Sequence, residues 1–267
     1  MRNKLERLDI TLVKRGLVES RERAQQLIKA GKVQLSGKVV TKPSLMVSED
    51  DNCITLLDRL RYVGRGGVKL EAALQNFGLD VRGLTALDVG ASTGGLTDCL
   101  LQHGISRVYA VDVGHEQLAP KIRNNPRVQT FEDTDIRQLL QLPEMVDLVV
   151  VDVSFISLRL VLSVVVRFLK PATGRIVALI KPQYEAGPRK VGKKGVVRNK
   201  SIQRETVVDL LQWVQQQGWT VLGVFRSPIQ GGEGNVEYFT YLSIEAETVG
   251  GYDWKREVNE LFQNEAA

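Results

Sequence analysis

The feature that most constrains the fold of this chain is a series of short apolar runs that begins near residue 85 and alternates with helical patterns. The runs are TALDVGA, RVYAVDVG, VDLVVVDVSF, GRIVALIKP and TVLGVFRSPI, followed by VEYFTYLSIE. Strands that are buried on both faces read as continuous apolar runs, and parallel strands are joined by crossover helices. The pattern therefore predicts an α/β fold with a Rossmann-like, doubly wound sheet, mostly parallel, whose last strand is antiparallel.

The first sixty residues predict a separate, smaller α+β domain. Apolar residues recur at helical spacing on both sides of Gly16, and Ser20 is a suitable cap for the second of two short helices. The stretch KVQLSGKVVTKP predicts a hairpin that turns at Ser36 and Gly37. We expect a domain over residues 1–60 and a linker over residues 61–67, whose glycines indicate a flexible link or a tight turn. A larger domain then covers residues 68–267.

The positive charge of the chain is concentrated in the small domain. Residues 1–42 contain eleven Lys and Arg and four Asp and Glu, a net charge of +7, whereas the whole chain carries +5. An excess of this size favours a nucleic-acid partner over the alternative, a solvated surface without a partner. The candidate phosphate contacts are Arg7, Lys14, Arg15, Arg21, Arg23, Lys29, Lys32 and Lys38.

Composition argues against several classes of protein. Charged residues interrupt even the most apolar region, so no run approaches the roughly eighteen residues of a membrane helix. The charged N-terminus lacks the apolar core of a secretory signal. Cys53 and Cys99 are far apart within apolar stretches, which is typical of small buried residues. We therefore expect a cytoplasmic protein without a membrane partner.

A glycine-rich turn, GASTGG, follows the first apolar run. Its glycines do not match the G-x-G-x-x-G spacing of a dinucleotide site, and the preceding acid would repel a phosphate. An acid at the end of the second run is placed to bind ribose hydroxyls. These features favour S-adenosylmethionine, and a nucleotide-sugar or nicotinamide enzyme is the alternative. The predicted cofactor contacts are Asp88, Gly90, Ala91, Ser92, Gly94, Gly95, Asp112, Asp133 and Thr134, and no metal site is predicted.

Four ionisable residues stand beside the predicted strands. Asp152 interrupts VVVDVSF and Lys181 ends GRIVALIKP, while Glu237 opens the last strand and Lys69 lies just ahead of the sheet. Charges next to buried strands are costly unless they are paired. Four opposed charges at the ligand-binding edge favour a catalytic site that positions and deprotonates a nucleophile. The structural alternative is a pair of salt bridges at the rim of the sheet.

A second basic stretch adjoins Lys181. Residues 181–204 contain eight Lys and Arg and one acid, Glu185, and include the glycine- and lysine-rich segment GPRKVGKKG. The segment is typical of a mobile loop that clamps an RNA backbone, with Lys190, Lys193 and Lys194 as candidate contacts, and a solvated lysine loop is the alternative. Phe155 and Tyr184, near the ends of strands, are candidates either for stacking on a flipped base or for the core.

The N-terminal stretch LDITLVKRGLVESRERAQQLIKAGKVQLSGKVVTKPS resembles the RNA-binding domain named after ribosomal protein S-four. The resemblance covers roughly residues 3–60 and is closest over SRERAQQLIKAGKVQLSGK. Such domains bind structured RNA and accompany several types of enzyme. The resemblance therefore implies an RNA partner without specifying a reaction.

The rest of the chain resembles the TlyA family, in which an FtsJ-like catalytic domain methylates ribose 2′-hydroxyls. The resemblance rests on RGGVKL, DVGASTGGLTDCLL, VYAVDVG, DLVVVDVSFISL, LIKPQYEAG and GVVRN, which occur in the family's order. It implies S-adenosylmethionine as cofactor and ribosomal RNA or ribosomal subunits as partner, with cytidine as the target nucleoside. Some relatives are named haemolysins.

The family's catalytic tetrad is lysine, aspartate, lysine and glutamate, which corresponds here to Lys69, Asp152, Lys181 and Glu237. The resemblance implies that Lys181 deprotonates or orients the ribose hydroxyl and that both acids hold Lys181. Lys69 would then position the hydroxyl or the ribose. An RNA-binding protein without methyltransferase activity and a haemolysin-like protein are the alternatives.

Overall fold

The computed structural model describes residues 5–36, 38–48, 54–56, 61–192, 195–231, 234–246 and 252–263. The chain forms two compact units, Met1–Arg61 and Tyr62–Ala267. The division lies next to the boundary expected at residue 60.

The described residues of the N-terminal unit form two short helices and five three-residue strands. The helices are α1 (Leu8–Lys14) and α2 (Arg21–Lys29), and the strands are β1 (Leu5–Arg7), β2 (Val33–Leu35), β3 (Lys38–Val40), β4 (Met46–Ser48) and β5 (Ile54–Leu56). Strand β1 pairs with β4, and β2 lies between β3 and β5, all antiparallel. The Ser20 side chain caps α2 by accepting a hydrogen bond from the Arg23 amide. The predicted small α+β fold is therefore confirmed.

The C-terminal unit is built on a seven-stranded sheet in the order β11-β12-β10-β9-β6-β7-β8. Strand β12 is antiparallel to both neighbours and the other pairs are parallel, which confirms the predicted doubly wound sheet with its antiparallel last strand. The strands are β6 (Thr85–Val89), β7 (Arg107–Val111), β8 (Val128–Phe131), β9 (Leu148–Val151), β10 (Arg175–Ile180), β11 (Thr220–Arg226) and β12 (Tyr238–Ser243).

Helices lie between most of these strands. They are α3 (Arg65–Asn76), α4 (Gly95–Gln102), α5 (Pro120–Arg123), α6 (Leu158–Val165), α7 (Pro182–Glu185), α8 (Lys200–Gln216) and α9 (Trp254–Gln263), with 3₁₀ turns at Val166–Phe168 and Pro188–Lys190. They cover the sheet on both faces, so successive residues of a central strand enter different cores. In β9, Val149 and Val151 pack into one apolar cluster, while Leu148 and Val150 pack into the other. This double burial explains the continuous apolar runs of the sequence.

The glycine-rich start of α3 packs closely against the turn after β6. A Cβ atom on Gly67 would lie 2.3 Å from the Tyr62 ring, and one on Gly64 would lie 2.6 Å from Thr93 Oγ1. A Cβ on Gly95, at the start of α4, would approach the Gly67 amide nitrogen to 3.1 Å. Residues 65–67 of the stretch expected to be a linker are thus helical, and their glycines permit close contact between the starts of α3 and α4.

Candidate active site

The four predicted catalytic residues meet at the edge of the sheet where the parallel strands end. Asp152 follows β9, and Lys181 follows the neighbouring strand β10. Glu237 directly precedes β12, which begins at this edge because it runs in the opposite direction. Lys69 reaches the same edge from the second turn of α3. The topology therefore collects residues that are up to 168 positions apart.

The four side chains form a chain of alternating charges. Lys69 Nζ lies 2.6 Å from Glu237 Oε2 and 3.9 Å from Asp152 Oδ2. Lys181 Nζ lies 2.6 Å from Asp152 Oδ1 and donates a hydrogen bond of 3.0 Å to Ser154 Oγ. Asp152 thus faces both lysines, one with each carboxylate oxygen. The arrangement is a continuous network rather than two independent salt bridges.

Burial makes this network sensitive to the loss of any member. Lys69, Lys181 and Glu237 are only 7%, 9% and 3% exposed. In such surroundings a charge is costly unless an opposite charge lies close by, and removal of one partner leaves the other uncompensated. With two cations and two anions, the network is electrically balanced.

Two glycines leave space for the network. A Cβ on Gly231 would lie 2.4 Å from Glu237 Oε1, and one on Gly90 would lie 2.6 Å from the backbone oxygen of Asp152. Gly90 also has a φ of +84°, a conformation that side chains rarely tolerate. Gly90 was predicted as a cofactor contact, whereas nothing in the sequence pointed to Gly231.

A cleft of about 740 Å³ opens beside Asp152. Of the nine predicted cofactor contacts, Gly90, Ser92, Asp112 and Thr134 line it. Asp112 also shapes the turn, because its carboxylate accepts hydrogen bonds from the amides of Ser92 and Gly114, each of 2.7 Å. Each oxygen keeps a further lone pair that a ligand hydroxyl can use.

The other five predicted cofactor contacts do not line the cleft. Ala91, Gly94 and Gly95 belong to the turn, and Gly94 has a φ of +88°. Asp133 Oδ2 lies 2.7 Å from His115 Nδ1, where its hydrogen bond raises the pKa of His115. Direct cofactor contacts by these residues stay predictions.

Asp88, the fifth of these residues, is completely buried beneath the turn. Its Oδ2 accepts a hydrogen bond of 2.6 Å from Thr97 Oγ1, and its Oδ1 has no hydrogen-bond partner among the described residues. Burial raises the pKa of Asp88 to about 7. A direct contact between this carboxylate and a ligand ammonium group also stays a prediction.

Sequence reasoning missed much of the cleft wall. Asp135, Ile136 and Arg137 line it beyond the predicted Thr134, although they belong to the EDTDIR stretch that follows the third strand. The loop 152–157 after β9 lines it as well. Arg137 Nη2 lies 2.5 Å from Asp135 Oδ2, so the one arginine among the described lining residues is paired.

Phe155, which the sequence left as a candidate either for stacking or for the core, lines this wall. Its side chain is 89% exposed, which excludes the core position that the sequence left open. Its φ of +65° is an uncommon conformation for a bulky residue and marks local strain. The ring lies 5.2 Å from that of Tyr184, between centroids. Together the two rings form an aromatic surface at the mouth of the cleft.

The predicted RNA contacts differ in their surroundings. Asp9, which is buried, holds Arg7 and Arg21 at 2.9 and 3.0 Å, and the bond from Arg7 lowers the pKa of that acid. Lys14 pairs with Glu6. The remaining candidates in the N-terminal unit reach solvent in part or fully; they are Arg15, Arg23, Lys29, Lys32 and Lys38.

In the C-terminal unit, Lys190 Nζ lies 2.7 Å from Glu205 Oε2. Lys193 and Lys194 lie outside the described residues. No helix in the described part of the chain is both long and apolar enough to cross a membrane.

Two family profiles match the chain, and together they cover most of it. The FtsJ-like methyltransferase profile matches residues 62–244, which include the sheet and the charged network. The S4 domain profile matches residues 6–53, within the N-terminal unit. Both resemblances proposed from the motifs are confirmed.

Relatives match over nearly the full length. A 16S/23S rRNA (cytidine-2′-O)-methyltransferase TlyA of Mycobacterium tuberculosis is 44% identical over 90% of this chain and 91% of its own. Hemolysin A of Brachyspira hyodysenteriae is 39% identical over 89% of this chain and 100% of its own. The solved structure of a "putative hemolysin" from Streptococcus thermophilus superimposes with a TM-score of 0.74 at 37% identity, over 98% of this chain and 96% of that one. The profiles, these relatives and the sheet topology agree, and the chain belongs to the FtsJ-like methyltransferase family, with an S4 domain ahead of its catalytic domain.

Proposed function

We propose that this protein transfers a methyl group from S-adenosylmethionine to a ribose 2′-hydroxyl of ribosomal RNA, with cytidine as the target nucleoside. The observation that carries the proposal is the buried network of Lys69, Asp152, Lys181 and Glu237 beside a cleft that Asp152 also lines. The named activity of the Mycobacterium tuberculosis relative supports the choice of RNA, nucleoside and oxygen.

The cleft suits S-adenosylmethionine in its charge. Three aspartates line it, Asp112, Asp135 and Asp152, and the arginine among its lining residues is paired with Asp135. Such a wall attracts a sulfonium cation and repels phosphate, which argues against a nucleotide-sugar or nicotinamide ligand. Asp112 is available to ribose hydroxyls at the end of β7, and Ile136 and Val113 offer apolar surface for a base.

The network suits the deprotonation of a hydroxyl. When bound, S-adenosylmethionine supplies a methyl group that is activated by the positive sulfur. Lys181 Nζ takes the hydroxyl proton as the O–C bond forms and the C–S bond breaks, for which Lys181 must first be neutral. Asp152 and Ser154 orient Lys181 at 2.6 and 3.0 Å. Glu237 holds Lys69, which positions the ribose.

The substrate is proposed from both units. The S4 domain supplies a basic surface for structured RNA over residues 1–60, and residues 68–267 supply the chemistry. The exposed ring of Phe155, beside Tyr184, offers a stacking surface for the base of the target nucleotide. Ribosomal RNA or ribosomal subunits, in the cytoplasm, are the proposed partners.

The test compares two lysines that are each paired with an aspartate. Lys181 pairs with Asp152 after β9 and β10, whereas Lys170 pairs with Asp147 at 2.8 Å ahead of the same strands. Ribosomal subunits from a strain without this modification are incubated with methyl-labelled S-adenosylmethionine, and ribose methylation is mapped. We expect one defined 2′-oxygen to be labelled, with a loss of about 10²–10⁴-fold in Lys181→Ala and none in Lys170→Ala. Full transfer by a folded Lys181→Ala protein would contradict the assignment of Lys181.

A further inference from the structure

A second concave surface lies beside the network. It consists of two adjoining clefts of about 500 and 470 Å³ that share Arg226 and Val236. Arg198 and Lys200 line the larger cleft, and Ser227 and Gln230 line the smaller one. None of the described residues that line either cleft is acidic. We call this surface the arginine cleft.

Buried amide side chains fix the walls of the arginine cleft. Asn235 Oδ1 accepts a hydrogen bond of 3.0 Å from the Val197 amide, and Gln203 Nε2 donates one of 2.6 Å to the Val197 carbonyl oxygen. Gln203 Oε1 accepts a further bond of 3.0 Å from the Tyr238 hydroxyl. Asn235 and Gln203 are both buried. The backbone next to Arg198 is therefore held in place, so this part of the basic stretch is pre-organised.

The same walls adjoin a member of the catalytic network. Val236, which lines both clefts, directly precedes Glu237. Arg226 is the last residue of β11 and is paired in register with Tyr238, and the Ser227 amide donates a 2.9 Å hydrogen bond to the Glu237 backbone oxygen. An anion bound by Arg226 would thus lie next to the backbone segment that positions Glu237.

We infer that the arginine cleft binds the phosphodiester backbone of the RNA strand next to the target ribose, which rests on the proposed function. Its three cations match a polyanion, and arginine offers paired donors to phosphate oxygens. Two joined clefts that share one arginine suit a continuous strand better than a single free anion. Ser227 and Gln230 add polar groups at the wall for sugar hydroxyls. The residues that line the arginine cleft belong neither to the S4 domain nor to the lining of the cofactor cleft.

The test measures the salt dependence of RNA binding in the full-length protein. Arg226→Gln and Arg198→Gln each remove one charge, and Arg82→Gln is the control, because Arg82 is an exposed arginine that pairs with Asp80 elsewhere on the same unit. Binding of a short single-stranded RNA of mixed sequence is followed by fluorescence anisotropy over a series of salt concentrations. Affinity for S-adenosylmethionine is measured separately by calorimetry.

We expect each cleft variant to bind RNA several-fold more weakly and to flatten the plot of log affinity against log salt by about 0.7 for each phosphate that the variant no longer binds. In both cleft variants the affinity for S-adenosylmethionine stays as in the wild type. In the Arg82→Gln protein the RNA affinity and its salt dependence stay as in the wild type. A wild-type salt dependence of RNA affinity in both cleft variants would overturn the inference. If Arg226→Gln does not fold, the result for Arg198→Gln decides, because Arg198 is exposed. RNA binding can be measured without methyl transfer. If the wild-type protein transfers no methyl group but the cleft variants still show a weaker salt dependence of RNA affinity, the proposed function is refuted and the inference about the arginine cleft stands.

Discussion

Asp152 is the residue on which the candidate site depends most, because its two carboxylate oxygens face two buried lysines. Among the described residues, Glu237 forms an ion pair with Lys69, and Ser154 accepts a hydrogen bond from Lys181. Neutralising Asp152 therefore changes the surroundings of both cations at once and leaves Lys181 without its carboxylate partner, while the Lys69–Glu237 pair remains.

Asp152→Asn tests this interpretation. We expect methyl transfer to fall by at least 10²-fold and the free energy of unfolding to fall by about 3–5 kcal/mol, since buried charge is left without its partner. Asp147→Asn is the matched control, because Asp147 pairs with the half-exposed Lys170 at the other edge of the sheet. Urea unfolding and labelled-methyl transfer provide the measurements. An equal loss of methyl transfer in both variants would contradict a specific role of Asp152 in the catalytic network.

Asp88 predicts a pH dependence of stability. Its pKa in the folded protein is about 7, from an ordinary value of 3.8. Between these values the folded chain keeps a proton that the unfolded chain releases, so the free energy of unfolding falls as the pH rises through this window. In Asp88→Asn that contribution disappears, on the order of 4 kcal/mol over the full window. Urea unfolding from pH 4 to 8 measures both proteins, and parallel curves would contradict the prediction.

At the scale of elements, the loop after β9 and the short helix α7 are joined by successive contacts. Lys181 contacts Asp152 and Ser154, Tyr184 packs on Phe155, and Glu185 accepts hydrogen bonds of 2.8 Å from Ser157 Oγ and 2.6 Å from the Leu158 amide. The loop forms one wall of the cofactor cleft, and α7 follows the proposed base. Burial raises the pKa of Glu185, which is consistent with an internal rather than a surface role.

Glu185 is therefore expected to position the cleft wall without touching substrate. Loss of two hydrogen bonds in Glu185→Ala should weaken cofactor affinity about 10-fold and lower kcat, while RNA affinity stays unchanged. Glu185→Gln keeps one acceptor oxygen and should recover part of the loss. Calorimetry with S-adenosylmethionine and steady-state kinetics separate the two effects. Glu260→Gln, on the exposed face of α9, is the control. An unchanged cofactor affinity in Glu185→Ala would remove Glu185 from this role.

At the scale of the whole molecule, the positive charge is divided unequally along the chain. The N-terminal unit holds the basic excess of +7 within residues 1–42, and the rest of the chain has a net charge of −2. Long-range attraction of RNA is therefore expected to depend on the small unit.

Neutralisation of Lys29 and Lys38, two exposed lysines on α2 and β3, tests this division. The double variant Lys29→Gln, Lys38→Gln should bind ribosomal RNA more weakly and with a flatter salt dependence, while cofactor affinity stays constant. The double variant Lys255→Gln, Arg256→Gln, on α9, removes the same number of positive charges and is the control. Filter binding over a salt series measures the effect. A drop of the same size in this control would mean that total charge, not the small unit, sets RNA affinity.

The sequence by itself determined the class of fold and the identity of the candidate catalytic residues. A continuous apolar run indicates a strand that is buried on both faces. An acid or lysine at the end of such a run stands out because burying a charged side chain is costly. Asp152 and Lys181 could be singled out in this way, and the resemblance to a family added the roles. Local geometry near the glycine turn was accessible for the same reason, since only glycine suits the backbone at Gly90 and Gly94.

Only the tertiary structure decided which of these groups touch. Lys69 and Glu237 are 168 residues apart, and the reversed direction of β12 brings them within 2.6 Å. Burial beneath the turn separates Asp88 from the cleft, and the strained backbone exposes Phe155 instead of placing it in a core. The arginine cleft depends on Arg226, which sequence order separates from Arg198. Contacts of this kind arise from strand order and from packing between distant segments. The local periodicity of hydrophobic residues in the sequence predicts neither.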